Sequence, residues 1–407
     1  MIPFAEALET VLAHAEPLGV ERVRLRRLLG RVLAEPVVAR ADLPRFDNSA
    51  VDGFGVRVAD VAHASPAAPA RLRLQATTPA GAPAAPALAR GAALKILTGA
   101  PISPGVEAVV MREHCEERPG WVLVRRPAHP GENIRRRGEE FRRGDPVLPA
   151  GLRLNPAAIG VLATFGCASA NVYRQPRLAF LVTGDELARP GQRLRPGQIY
   201  DANTHTLAAA AAALGLTPCL QERVSDDRDA TTEALARALE AAEVVIVVGG
   251  VSMGDHDYVK EACAALGVEA RFWQVAMKPG KPNYFGTFTP PGAARRLVFG
   301  LPGNPVAALL SFNRLVRPAL LKLMGAHDLA LPPVTAVLGE DLHKEAGRLE
   351  FVRAVAAVEH GTLVVRPTTG QGSHMLGGMA VANCVIPFAA PLETLRRGEP
   401  VAIEFLE

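Results

Sequence analysis

Between residues 176 and 324 the chain alternates short apolar runs with amphipathic or alanine-rich stretches. The clearest run covers residues 244–248, an uninterrupted β-branched segment typical of a strand that is buried on both faces. The pattern predicts strands at 178–182, 217–224, 244–248, 270–275 and 297–300, and helices at 203–214, 231–241, 258–266 and 305–324. Strands that alternate with helices predict a parallel, doubly wound α/β domain over residues 176–324.

The flanking regions have other periodicities. Residues 1–40 carry two apolar stripes at helical spacing and predict two helices, which we group with 139–175 as one helical and linker domain. Short β-like pieces, among them 53–56, 108–111 and 121–124, predict a small β-rich domain over 41–138. Period-two alternation with glycine turns predicts a C-terminal β-domain over 325–407, either a barrel or a sandwich. The expected fold class is therefore multidomain α/β.

Composition narrows the class of protein. A net charge of +4 on 407 residues does not suggest a nucleic-acid binder. The five cysteines are scattered and form no C-x-x-C pair, which favours a reduced compartment over a zinc site or a disulfide framework. No signal peptide and no apolar run long enough to span a membrane is visible, so we expect a cytoplasmic protein without membrane contact.

Polar breaks follow three of the predicted strands, at 183–187, 249–257 and 300–305. Ligands of such sheets bind beyond the carboxyl ends of the strands, where these loops must lie side by side. The loops carry glycines that allow close backbone approach to a ligand. They also bring the acidic residues Asp185, Glu186, Asp255 and Asp257 to the same edge, and Asp226, which follows another predicted strand, falls near it. Each acid alone is better explained as a helix cap or a solvated side chain. Together, around an anion-binding cleft, they indicate a bridging Mg²⁺.

Two lysines follow in Lys278-Pro-Gly-Lys281, in a chain that otherwise prefers arginine. A compact ammonium grips an oxyanion differently from a guanidinium, so this pair is a candidate for phosphate or oxyanion binding. The row Arg135 to Arg137 has the same potential, although such runs are more often solvated surface. The sequence contains no Ser-His-Asp arrangement, no Walker-type loop and no G-x-G-x-x-G, which argues against a dehydrogenase or a P-loop kinase.

Seven motifs in this order resemble the molybdopterin molybdenumtransferase family, the MoeA-type molybdate insertases that include the E-domain of gephyrin. The motifs are Asp47-Asn-Ser-Ala-Val-Asp-Gly53, Leu97-Thr-Gly-Ala100, Gly131-Glu-Asn-Ile-Arg-Arg-Arg-Gly138, Thr183-Gly-Asp-Glu-Leu187, Gly249-Gly-Val-Ser-Met-Gly254, Lys278-Pro-Gly-Lys-Pro282 and Gly300-Leu-Pro-Gly-Asn-Pro305. The resemblance covers essentially the whole chain, and it is specific because all seven motifs occur.

The resemblance implies a homodimer of elongated four-part subunits, with a central domain similar to molybdopterin adenylyltransferases. It implies a Mg²⁺-assisted reaction in which adenylylated molybdopterin and molybdate react, AMP is split off and molybdenum stays on the dithiolene. Small molecules are then the main partners. Transient contact with molybdopterin adenylyltransferase or molybdoenzyme maturation factors is also expected.

Carried over motif by motif, the family's site residues fall into three groups. The catalytic group is Asp52, Glu186, Asp226 and Asp257, and in the dimer Asp52 and Thr98 are expected to face the central carboxylates across a cleft that joins two subunits. The substrate and oxyanion group is Thr98, Ser252, Lys278, Lys281, Pro302, Pro305, Arg348 and Ser373, with Arg353 beside it. The metal group is Glu186, Asp226, Asp257 and Glu140.

This chain departs from the family pattern at three positions. Glu140 stands where Asp is common and is one methylene longer, while Val51 and Phe54 replace the more usual Met and Tyr. Two other functions stay open. A non-catalytic dimeric scaffold would bind peptide segments and would not need the carboxylates, and a molybdopterin adenylyltransferase would act on molybdopterin and ATP.

Overall fold

The computed structural model describes residues 1–251 and 258–406, which form two compact units. The larger unit comprises Met1–Glu35, Ala150–Ala163 and the chain from Cys167 onward, and the smaller comprises Pro36–Pro149 and Thr164–Gly166. The division into four domains at residues 41, 139, 176 and 325 stays a prediction.

A six-stranded sheet forms the centre of the larger unit. Its strands lie in the order Leu220–Val224, Leu178–Thr183, Val244–Val248, Arg296–Leu301, Pro282–Phe288 and Glu269–Gln274. The first four are mutually parallel. All five side chains of Val244–Val248 are buried, as the apolar run predicts for a central parallel strand.

Helices cover both faces of this sheet. Alternate residues of the strands point to opposite faces, so Leu178 and Phe180 join one apolar core while Ala179 and Leu181 join another. Four helices close the first core: Phe4–His14, Asn203–Ala213, Pro305–Ser311 and Arg317–Leu323. The π-helical turn Phe312–Val316 joins the last two. Two helices close the second core, Arg228–Ala241 and Val259–Ala265. The predicted doubly wound α/β domain is confirmed.

One edge of the sheet is antiparallel, which the sequence prediction did not include. Pro282–Phe288 pairs antiparallel with both Arg296–Leu301 and Glu269–Gln274. The links on either side of Pro282–Phe288 are too short for the helical crossover that parallel neighbours require. The strand was not predicted from the sequence because Pro282, Asn283 and Gly286 weaken its β pattern.

The second helix predicted within residues 1–40 is wrong. Val20–Arg24 is a strand paired with Ser169–Tyr173, and it is followed by the short 3₁₀ turn Leu25–Arg27. Gly30 has φ of 75°, which an α-helix cannot contain, and Leu29 is 63% exposed although it belongs to the apolar stripe. Pairing with a distant strand therefore overrides a local pattern that resembled a helix.

The C-terminal region is a closed barrel, one of the two predicted forms. Leu349–Glu359, Thr362–Pro367, Val334–Leu338, Pro400–Phe405 and Cys384–Phe388 follow one another around the sheet, and the last pairs back onto the first. Met277–Lys278 adds to the edge of Leu349–Glu359, and helix Leu376–Val381 precedes the closing strand. Leu342–His343 pairs with Thr394–Leu395 outside the barrel.

The smaller unit is built on a second six-stranded sheet. Its order is Ala108–Met111, Gly53–Val56, Ala92–Ile96, Ala70–Thr78, Trp121–Val124 and Cys115–Arg118, with helix Val58–Val61 and the 3₁₀ turn Arg112–His114 beside it. Two short pairings complete this unit, Val37–Val38 with Pro146–Leu148 and Asn48–Ser49 with Ile134–Arg135. The β-rich character predicted for this region is found in the structure.

The larger unit also contains a short helix and a two-stranded parallel pairing outside its main sheets. Helix Pro156–Thr164 lies in the chain between strands Pro146–Leu148 and Ser169–Tyr173, and Leu187–Ala188 pairs parallel with Ile199–Tyr200. In the part of the chain that the structure describes, no helix combines the length and the apolar character needed to cross a membrane.

A buried carboxylate stabilises the start of the central strand. Glu243 is 4% exposed and accepts hydrogen bonds from the Arg177 backbone N–H (2.8 Å) and guanidinium (3.0 Å), with Arg174 at 3.3 Å. Burial alone would raise the pKa of Glu243, but the hydrogen bonds from Arg177 outweigh burial and hold that pKa below its usual value of 4.5.

Glu243→Gln is therefore expected to destabilise the protein by about 2 kcal/mol at pH 7, the range for hydrogen bonds to charged groups. A carboxyl whose pKa is lowered by folding adds stability above its unfolded pKa and loses it as the pH falls through the folded pKa. The difference from wild type should thus shrink below pH 4.5. Urea unfolding at pH 7 and pH 3.5 measures it. Glu233→Gln, at a side chain that is 76% exposed, is the control and should change nothing. An equal difference at both pH values would contradict the account.

Candidate functional site

The first and third polar loops and the start of the second, residues 249–251, lie together at the sheet edge, as their positions after parallel strands predict. A Cβ added at Gly249, whose φ is 88°, would lie 2.7 Å from Thr183 Oγ1, and one added at Gly303 would lie 3.8 Å from Gly249 Cα. Glycine is thus required at 249 both by backbone conformation and by the closeness of the neighbouring loop. Pro302 and Pro305 flank Gly303, with Pro302 buried and Pro305 at the first turn of its helix.

The first and third loops line a cavity of about 510 Å³. Its wall includes Thr183, Glu186 and Leu187 from the first loop, Val248 from the central strand, and Gly303, Asn304 and Pro305 from the third loop, together with Ile199, Tyr200, Ala202, Asn203 and His374. A volume of this size suits a nucleotide-sized or pterin-sized ligand. Its position beyond the carboxyl ends of the parallel strands is where α/β sheets bind ligands.

Asn203 fixes the third loop and was not found from the sequence. It is 9% exposed, and its Nδ2 donates to Gly303 O at 2.6 Å. The amide therefore joins the start of helix Asn203–Ala213 to the loop before Pro305. The sequence does contain a signal for a polar role of Asn203, because Asn203 follows Asp201 at the polar start of a helix that is otherwise mostly alanine.

Two of the predicted acids face one another beside this cavity. The Asp185 backbone N–H lies 3.3 Å from an Asp226 carboxylate oxygen, and the Asp226 N–H lies 3.4 Å from Asp185 Oδ1. Glu186 is exposed in the cavity wall, with its carboxylate close to Gly184. Asp227 has a different role, since its side chain caps helix Arg228–Ala241 by accepting from Ala230 N at 2.8 Å.

Residues 252–257 of the second loop, which include Ser252, Asp255 and Asp257, lie outside the described residues. The oxyanion role predicted for Ser252 and the metal role predicted for Asp257 therefore stay predictions. Among residues 1–251 and 258–406, no three His, Cys, Asp or Glu side chains are grouped closely enough to hold a metal ion by themselves. Asp185 and Asp226 are nevertheless hard oxygen donors at one point, and Mg²⁺ commonly takes only one or two carboxylates with substrate phosphates.

A basic cluster surrounds Glu350 at the junction of the central sheet and the barrel. Lys278 pairs with Glu350 across the strands, and its Nζ lies 3.2 Å from the carboxylate, which is largely buried. Lys344 donates to Arg348 O at 3.1 Å. Burial lowers the pKa of Lys344, and this effect outweighs the carboxylates of Glu350 and Glu393, which raise that pKa. Lys281 is exposed, three residues along from Lys278.

The polar loop 370–375 of the barrel reaches the start of the helix that follows the third loop. Ser373 O accepts from the Val306 backbone N–H at 3.0 Å. The Arg353 side chain is fully buried and donates to Gly370 O (2.7 Å) and Gly372 O (3.3 Å). Arg353 thus tethers the loop that carries Ser373, and the oxyanion role of both residues stays a prediction. His374 beside Ser373 is a cavity residue that was not predicted from the sequence.

Asp52 and Thr98 are paired within the smaller unit. Asp52 Oδ1 accepts from both the backbone N–H and the hydroxyl of Thr98, each at 2.7 Å. Asp52 borders a small cavity of about 140 Å³ whose wall also includes Lys95 and Arg112. The hydrogen bonds from Thr98 lower the pKa of Asp52, with the charge of Arg112 adding to the effect, so Asp52 is a carboxylate at neutral pH.

Thr98→Val is expected to raise the pKa of Asp52 toward its usual value of 3.8, because the substitution removes the hydroxyl donor and keeps the backbone donor. Carboxyl-selective NMR titration measures this pKa. Asp42 is the internal control, since backbone and side-chain hydrogen bonds from Arg143 and Arg137 lower its pKa independently of Thr98. An unchanged pKa of Asp52 would show that the Thr98 hydroxyl does not stabilise the ionised carboxylate.

The remaining predicted residues lie in the same unit. Glu140 is exposed, and its backbone N–H donates to Leu43 O at 3.0 Å. Its carboxylate belongs to no group of three potential metal ligands among the described residues, and its metal role stays a prediction. Arg136 pairs with Asp47 at 2.7 Å and Arg137 with Asp42 at 2.6 Å. Arg136 and Arg137 therefore connect neighbouring loops through exposed ion pairs.

Three family models match the chain in succession. "MoeA N-terminal region (domain I and II)" matches residues 2–166, "Probable molybdopterin binding domain" matches 179–322, and "MoeA C-terminal region (domain IV)" matches 335–406. Together they account for nearly all of the sequence.

Individual proteins match over similar lengths. Molybdopterin molybdenumtransferase of Haemophilus influenzae is 35% identical over 398 residues, covering 95% of this chain and 94% of that protein. The enzyme of the same name from a Nostoc species is 40% identical over 324 residues, covering 79% and 74%. The crystal structure of the molybdopterin biosynthesis MoeA protein from Pyrococcus horikoshii superposes with a TM-score of 0.81 at 31% identity, over the full length of both chains.

Proposed function

This chain belongs to the molybdopterin molybdenumtransferase family, and on that premise we propose that it transfers molybdenum from molybdate to adenylylated molybdopterin and releases AMP. It is a transferase of molybdenum cofactor biosynthesis. The observation that supports the proposal most strongly is the cavity of about 510 Å³ at the sheet edge, where two of the family's motif loops and the glycine turn of a third meet and Glu186 lies in the wall.

Catalysis in this proposal depends on anion positioning. Glu186 and Asp226, with Asp257 of the undescribed loop, would hold Mg²⁺. Asp185, whose carboxylate lies beside the Asp226 backbone, would support them. The bound ion would neutralise the charge that builds up on the substrate phosphates during cleavage. The chain's own contribution is to hold the phosphates over glycine-rich turns whose backbone can approach closely.

Molybdate binding is assigned to the basic cluster around Glu350. Lys278, Lys281 and Arg348 supply positive charge, and Ser373 supplies a hydroxyl on the tethered loop. Compact ammonium groups suit a small tetrahedral dianion that offers no bidentate planar edge. The partial neutralisation of Lys278 by Glu350 would leave this site cationic enough to attract molybdate and weak enough to release it.

Asp52 and Thr98 are proposed as a preformed hydrogen-bonded pair that takes part in catalysis, and Glu140 as a metal ligand. We further propose a cytoplasmic homodimer with transient protein partners that deliver the pterin or collect the cofactor. Free thiols at all five cysteines support a reducing compartment.

The test is cofactor formation. The protein is incubated with adenylylated molybdopterin, molybdate and Mg²⁺, and the product is assayed by reconstituting an apo-molybdoenzyme. We expect reconstitution only when all three are present. A second incubation contains molybdopterin, ATP and Mg²⁺ instead. Formation of adenylylated molybdopterin there, together with failed reconstitution in the first incubation, would identify an adenylyltransferase. Binding of peptide segments by the protein, without formation of the cofactor, would identify a scaffold.

A further inference from the structure

His374 enters the sheet-edge cavity from the barrel side. It is exposed, it lies in the cavity wall, and it is the one side chain with a basic group among the described residues of that wall. Glu186 in the same wall is acidic. A cavity that accepts a phosphorylated ligand needs donors that offset the charge of the ligand, and in the described wall the imidazole is the group suited to that task.

The loop that carries His374 is held at three points. Ser373 O accepts the Val306 N–H at 3.0 Å, so the barrel loop caps a helix for which Asn304 gives no side-chain cap. Arg353, fully buried, donates to the carbonyl groups of Gly370 and Gly372. The backbone on which His374 stands is therefore fixed before any ligand binds.

Gly372 makes room for the imidazole. A Cβ added at Gly372 would lie 2.9 Å from His374 Cε1 and 3.1 Å from Met375 Sδ. Any side chain at position 372 would therefore clash with the imidazole ring in its present position. The hydrogen bonds that hold the loop and the space left by Gly372 together direct the His374 imidazole to the cavity.

We propose that His374 is a substrate-contacting residue whose imidazole N–H donates to a phosphoryl oxygen of the adenylyl part of the substrate. The inference rests on the proposed function and deepens it, because it gives the barrel domain a direct contact with the nucleotide. Tyr200 is 46% exposed in the same wall, and its ring provides an aromatic surface for the heterocycle beside that phosphate.

The test compares His374→Ala and His374→Asn with wild type, using AMP and adenosine as probes in calorimetric titrations without molybdate. His374→Ala should weaken AMP binding about 10-fold, the loss typical of a hydrogen bond to a charged group, and leave adenosine binding unchanged. His374→Asn, which keeps an N–H donor, should recover part of the AMP affinity. His343→Ala is the matched control, an exposed barrel histidine 3.2 Å from Thr394 Oγ1, and it should bind AMP as wild type does.

Three results would overturn the inference. These are unchanged AMP affinity in His374→Ala, equal loss for AMP and adenosine, which would indicate stacking on the base, or no recovery in His374→Asn. Thermal unfolding should be unchanged in both variants because the ring is exposed. Wild-type cofactor formation is measured separately, so failure of this contact and failure of the proposed function give different results.

Discussion

Glu186→Gln is expected to lower molybdate-dependent AMP release at least about 100-fold, the loss typical when one electrostatic group of a preorganised site is removed. The substitution keeps the size of the side chain and removes its charge at the cavity wall, where the substrate phosphates are proposed to be neutralised. Single-turnover measurement of AMP after mixing with adenylylated molybdopterin and molybdate gives the rate.

Glu240→Gln is the control for that experiment, because Glu240 is an exposed acid on helix Arg228–Ala241 in the same unit. It should release AMP as wild type does. A Glu186→Gln rate within about twofold of wild type would remove this carboxylate from the catalytic machinery.

Lys278→Gln is expected to raise the KM for molybdate about 10-fold, with a smaller change in kcat. The substitution removes a cation and also leaves the carboxylate of Glu350, now without its 3.2 Å partner, to repel a dianion. Steady-state kinetics with varied molybdate measure both constants. Lys278→Arg keeps the charge and should lie closer to wild type than the glutamine variant.

The double variant Lys278→Gln/Glu350→Gln separates the two effects. If repulsion by Glu350 contributes, the double variant should bind molybdate better than Lys278→Gln alone. An unchanged KM in Lys278→Gln would contradict the assignment of the basic cluster to molybdate.

Much of the central domain could be predicted from the sequence because its parallel strands are buried on both faces. A run such as residues 244–248 has few alternatives, and the loops after parallel strands must share one edge. The meeting of Thr183, Gly249 and Gly303 follows from that rule. The Asp52 and Thr98 pair followed only from the resemblance, since the pattern around Asp52 is otherwise that of an ordinary turn.

The wrong helix within residues 1–40 and the missed site residues share a physical cause, which is contact between segments distant in the chain. Residues 25–33 have helical spacing, yet the preceding strand Val20–Arg24 is fixed by Ser169–Tyr173. Local propensity carries no information on such partners. Asn203 and His374 were missed for the same reason, because each gains its role from a loop far along the chain, Gly303 for one and the helix start at Val306 for the other.

Molybdate dependence of AMP release by the wild-type protein tests the central claim most directly. The protein is mixed with stoichiometric adenylylated molybdopterin and Mg²⁺, and AMP is followed with and without molybdate. The account predicts that AMP appears promptly when molybdate is added and that its yield matches the molybdenum bound to the pterin. Tight binding of adenylylated molybdopterin with no AMP release in the presence of molybdate would contradict the account.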